Sequence, residues 1–117
     1  MRVRDFRTSD LPAVADVFTA AVHGLTSDHY DQQQREAWAP QPPDLVYWRQ
    51  RTANMRILIA EAEDGTIAGF LGYHDSGHID MLFANPRHSR QGVASTLHAA
   101  AERKLRSIGV DALFTEA

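Results

Sequence analysis

Apolar residues recur at two different periods along this chain, and the change from one period to the other marks its elements. Leu11, Val14, Val17, Phe18, Ala21 and Val22 fall three and four apart, which predicts an amphipathic helix to about His23. Thr8-Ser9-Asp10 offers N-cap side chains for it, and Pro12 suits its first turn. Further on, Arg56–Ala62, Ile67–Tyr73 and Ile79–Ala84 are short apolar runs of strand length. Glu63-Asp64-Gly65-Thr66 and Asp75-Ser76-Gly77 separate them, so the three runs predict an antiparallel meander. Gly69 and Gly72 inside the second run signal a bulge or a close backbone approach.

The remaining pattern completes the order of elements. Met1–Phe6 alternates and predicts a short first strand. Gly24–Pro43 is the least regular stretch; Asp31–Trp38 is helix-prone and Pro40-Gln41-Pro42-Pro43 stops it. Asp44 can cap a further short helix through Thr52, with Leu45, Tyr47 and Trp48 facing inward. A long helix begins near Gly92 and buries Val93, Leu97, Ala101, Leu105 and Ile108, with Gly109 as its C′ residue. Val110–Phe114 begins another strand. The fold class is α+β: a mixed, mostly antiparallel sheet with helices on both faces.

Composition narrows the function more than the fold. One domain over residues 1–117, with 44% hydrophobic and 23% charged residues, is an ordinary globular composition. A net charge of −3 gives no global attraction to nucleic acid or to an anionic membrane. With no cysteine there are no disulfides, no thiolate metal ligands and no cysteine nucleophile. No apolar run reaches membrane-spanning length and the N-terminus lacks a signal core, so the expected location is the cytoplasm.

One local charge feature changes the picture. The loop Asn85–Gln91 holds Arg87, His88 and Arg90, and no acidic residue occurs between Asp80 and Glu102. A strand feeding a basic, Gly-containing loop into a helix start suits a phosphate group, which meets free backbone N–H groups and the positive helix end there. The alternative is an ordinary strand–loop–helix with solvated arginines.

Asn85-Pro86-Arg87-His88-Ser89-Arg90-Gln91-Gly92-Val93-Ala94-Ser95-Thr96-Leu97 resembles the acetyl-CoA signature of the GCN5-related N-acetyltransferases (GNAT), Q/R-x-x-G-x-G/A. Gly92 and Ala94 match its last two defined positions, and Ser89 stands where the signature has Gln or Arg. The stretches Asp16–Ala39 and His78–Leu97 are similar to the YafP-like branch of bacterial acetyltransferases. The resemblance implies acetyl-CoA as co-substrate and an amine acceptor. Ser89, Arg90, Gln91, Gly92, Val93, Ala94 and Ser95 would hold the CoA pyrophosphate, and Met81, Leu82 and Phe83 would offer backbone groups to the pantetheine arm. Leu25–Trp48 corresponds to the segment over the acceptor, which makes His29, Tyr30 and Trp38 substrate candidates; Trp48 reads better as core. Members of the family continue past the position of Ala117 with further elements, so the resemblance also implies a domain incomplete at its C-terminus. A bare edge at Val110–Phe114 would favour a homodimer.

For the proton that the acceptor must lose, His78 and Asp80 are the first candidates. Two residues apart on a strand share a face, and a carboxylate beside an imidazole orients it. The alternative is a solvated polar pair, and Glu61 is a second candidate base. His74, His78 and Asp80 surround a tight turn, but three ligands with no second cluster do not predict a metal site. Two functions stand at this point: direct acetyl transfer to an amine of a small molecule or protein, or a non-catalytic acyl-CoA-binding or partner-binding domain of the same fold.

Overall fold

The computed structural model describes residues 1–25, 34, 39–40, 43–88 and 91–115. Strand β1 (Arg2–Asp5) leads through a 3-10 turn (Thr8–Asp10) into helix α1 (Leu11–Leu25). Helix α2 (Leu45–Thr52) follows, then β2 (Arg56–Glu61), β3 (Ile67–Tyr73) and β4 (Ile79–Ala84). A second 3-10 turn (Pro86–His88) opens the way to helix α3 (Val93–Arg106). The four strands form one antiparallel sheet in the order β1-β2-β3-β4. The described strands and helices form the expected α+β architecture.

The period of two sorts the strand residues onto two faces. Leu58, Ala60, Leu71 and Ile79 pack with Val93, Leu97, Ala101 and Leu105 of α3. Ile57, Ile59, Phe70 and Met81 pack on the opposite face with Leu11, Val14 and Val17 of α1 and Trp48 of α2. The inner strand β3 is buried along its whole length, being covered on both faces. No described helix is long and apolar enough to cross a membrane.

Three sequence expectations change. The Asp44 carboxylate accepts hydrogen bonds from the Val46 and Tyr47 amides and caps α2 as expected, but only Trp48 of that helix is buried. Leu45 and Tyr47 are exposed, because a helix of two turns lying across α1 turns a single position inward. Ile108 is also exposed: α3 ends at Arg106, and the chain reverses there, with Val110 N–H donating to Leu105 O at 2.9 Å. Finally, Val110–Phe114 is not a strand. Residues before Phe114 run alongside the turn at Asp75–Gly77, where there is no strand to pair with, and only a parallel bridge between His78 and Phe114 forms.

Candidate active site

Strand β4 lies at one edge of the described sheet, and its alternation decides which backbone groups remain available. Asn85 donates its N–H to Ala68 O at 2.8 Å, towards β3. Phe83 and Met81 therefore also face β3, while the N–H and C=O of Leu82 and Ala84 point to the opposite edge. Along that edge, Ile79 donates to Phe114 O (2.7 Å) and Phe114 donates to Gly77 O (3.0 Å). Beyond Ile79 the edge of β4 has no backbone partner among the described residues. A cleft of about 400 Å³ opens there, lined by Ile79–Leu82, His98 of α3 and Leu113–Thr115.

The edge leads directly to the start of α3. The Asn85 side chain fixes the intervening loop, its amide donating to Ile67 O (3.4 Å) and its carbonyl accepting from Arg87 N–H (3.0 Å). His88 contacts Gln91 Oε1 (3.2 Å) and Thr66 Oγ1 (3.4 Å), which ties the loop to the β2–β3 turn and engages the Gln91 side chain. Gly92 takes the left-handed conformation (φ 72°), and a Cβ there would meet nothing within 4 Å. Backbone shape therefore requires the glycine, and the space above it is open. Thr96 N–H is the first to return to the helix, to Gly92 O at 3.0 Å. Among the described residues the amides of Val93, Ala94 and Ser95 have no acceptor, which leaves them to meet an anion. Val93 offers only that amide, since its side chain is buried in the core.

Asp80 lies at a break in the β3–β4 register: Gly72 pairs with Met81 and Tyr73 with Ile79, so Asp80 has no cross-strand partner. A bulge of this kind re-aims a side chain. The half-buried carboxylate accepts from Arg51 Nη2 of α2 at 2.7 Å and contacts His74 Nε2 at 2.9 Å. Burial alone would raise its pKa, but the His74 hydrogen bond and the Arg51 charge outweigh this and hold it below the usual carboxylate value. His78 stacks between His74 (5.5 Å between centroids) and Phe114 (5.3 Å) and makes no hydrogen bond to Asp80. Ligand atoms of His74, His78 and Asp80 come within 4.8 Å of one another. The imidazole planes are nearly parallel, at 11°, so one cation could lie in both only if a ring turned, and Arg51 already neutralises the carboxylate.

Glu61 does not line the cleft. It accepts from Arg4 Nε at 2.8 Å, a bond that lowers its pKa. His29, Tyr30, Trp38, Ser89 and Arg90 lie outside the described residues. Nearby, a pocket of about 290 Å³ between α1 and α2 is walled by Phe18, Tyr47 and Trp48. Arg51 and His74 are the members of the site whose roles the sequence did not suggest: Arg51 sits in a short helix read only for its packing, and His74 stood out only as one side of a turn.

The model of the acetyltransferase (GNAT) family matches residues 23–117. The chain belongs to that family. It is similar to the uncharacterized N-acetyltransferase YafP of Escherichia coli K12, 30% identical over 115 residues, which is 98% of this chain and 74% of that protein. A GCN5-related N-acetyltransferase structure from Rhodopseudomonas palustris is 31% identical with a TM-score of 0.85, covering 99% of this chain and 72% of the other. The PaiA N-acetyltransferase of Thermoplasma acidophilum, solved with coenzyme A, shares the fold at 19% identity and a TM-score of 0.75, over 93% of this chain and 74% of that one. As a member of the GNAT family the chain is an N-acetyltransferase, and acetyl-CoA is its co-substrate.

Proposed function

We propose that this domain, residues 1–117, moves acetyl from acetyl-CoA to an amine of a small molecule or protein by direct attack of the amine on the thioester. The observation that carries this reading is the continuity of free donors: the open Leu82 and Ala84 edge of β4 runs straight into the free amides of Val93–Ser95. Pantetheine would extend β4 as a partial strand, with the pyrophosphate on the α3 N-terminus, where Ser89, Arg90 and Gln91 complete the loop. In this reading an N–H on β4, that of Leu82, polarises the acetyl carbonyl as charge develops on its oxygen. Holding the thioester between two fixed anchors removes much of the entropic cost of meeting the acceptor.

The acceptor enters from the α1–α2 side, with His29, Tyr30 and Trp38 as its contacts, and gives up a proton at Asp80 or His78. An ionised carboxylate lining the cleft supports Asp80, and its stacking on Phe114 places His78 beside the same opening. Ser89, where the family signature has Gln or Arg, favours the second reading, a domain that binds acetyl-CoA without turnover. Release of free CoA thiol from acetyl-CoA, followed with and without primary amines, separates the two. Amine-dependent thiol release supports transfer, and retention of bound acetyl-CoA unchanged supports the binding module.

A further inference from the structure

Three elements meet at one carboxylate. Arg51 from α2 bonds Asp80 Oδ1, His74 from the end of β3 bonds Oδ2, and the β4 bulge turns the side chain away from the regular pleat. An ionised carboxylate only accepts hydrogen bonds, so the Nε2 of His74 carries the hydrogen. The ring is further held by its stacking on His78. His74 does not itself line the cleft, whereas Asp80 does. This is the relation of an orienting residue to the group that acts.

We infer that His74 is a positioning residue for acetyl transfer, fixing the Asp80 carboxylate at the wall of the cleft where it takes the proton of the acceptor ammonium. The inference rests on the transfer reading above. In the step it serves, the ammonium gives one proton to Asp80, and the freed amine lone pair forms the C–N bond to the acetyl carbon. The C–S bond breaks with its electrons on sulfur, the nitrogen's surplus proton ends on the thiolate, and Asp80 returns its proton to water. The products are the amide and CoA thiol. Arg51 holds the second oxygen, so loss of His74 frees the carboxylate to rotate without leaving it unpaired.

The test uses the intact chain with acetyl-CoA and three probe amines: tyramine, spermidine and an N-terminal glycyl peptide. His74→Ala should lower kcat by about tenfold or more. The KM for acetyl-CoA and the unfolding temperature should stay unchanged, because His74 is half-exposed and away from the cofactor loop. His74→Gln, whose amide N–H can still reach Asp80, should restore most of the rate. An unchanged kcat in His74→Ala, or an equal loss in both variants, overturns the inference while leaving transfer intact. A wild-type chain that binds acetyl-CoA but releases no thiol with any of the three amines overturns the transfer reading, and this inference with it.

Discussion

Gly69 on β3 lies so close beneath Val93 that a Cβ at position 69 would come within 2.6 Å of Val93 Cγ1 and 2.8 Å of the Phe83 carbonyl oxygen. One glycine thus sets how near both the helix that starts the anion site and the strand that would carry pantetheine approach the sheet. The Val93 methyl can give way a little; the β4 backbone cannot without shifting the ladder. Gly69→Ala should therefore cost about 1–3 kcal/mol as an overpacking change. Affinity for acetyl-CoA should fall with it, measured by denaturant unfolding and by calorimetric titration.

Gly92 separates backbone shape from bulk, since its φ of 72° is left-handed and its surroundings are open. Gly92→Ala should lower stability by about 1–2 kcal/mol through strain alone. Gly92→Glu adds a negative charge facing the free amides and should weaken acetyl-CoA binding by about tenfold more than Gly92→Ala, roughly 1.4 kcal/mol. Titration of both variants at one ionic strength checks this.

Arg4 grips Asp10 with two hydrogen bonds of 2.8 and 2.9 Å, and the same carboxylate accepts the Arg7 amide at 2.7 Å. The Arg4 bonds, helped by the Arg7 amide and opposed by burial, hold the Asp10 pKa below its usual value. A depressed native pKa means that the stabilisation is present in full above the ordinary carboxylate range and is lost as pH falls through the native value. Asp10→Asn should remove about 1–3 kcal/mol near neutrality. It should also flatten the fall in stability below about pH 4, which unfolding curves from pH 7 to pH 2 would show.

Trp48 is the one buried side chain of α2, with its ring edge-on to Phe18 (5.0 Å) and Phe70 (6.3 Å). Trp48→Ala should cost about 3–5 kcal/mol and release α2 from the sheet. Since α2 carries Arg51, the Asp80 carboxylate would lose one of its two partners. Thermal unfolding reads the first effect.

The meander was legible because each strand is a run of apolar residues closed by an Asp- and Gly-containing turn, and those turns admit few alternatives. The helix start was legible for the same local reason, a glycine between a basic loop and an apolar stripe. What could not be read depends on tertiary placement. A spacing of two puts His78 beside Asp80 on a regular strand, but the bulge at Asp80 breaks the alternation, and the residue it meets is His74 across the turn. Ile108 and Tyr47 continue a helical apolar stripe, but one lies past the last turn of α3 and the other on the outer side of a two-turn helix. The strand expected at Val110–Phe114 had the right residues and no neighbour to pair with before Phe114.

The most direct measurement of the central claim is an amide-resolved NMR titration of the chain with acetyl-CoA. The largest shifts should fall on the Leu82 and Ala84 amides of β4 and on Val93, Ala94 and Ser95 of α3, and Gly92→Glu should suppress the α3 set first. Saturable binding whose shifts gather elsewhere, for example around the groove between β1 and α3 at Arg2 and Arg103, would contradict placement of acetyl-CoA along this edge.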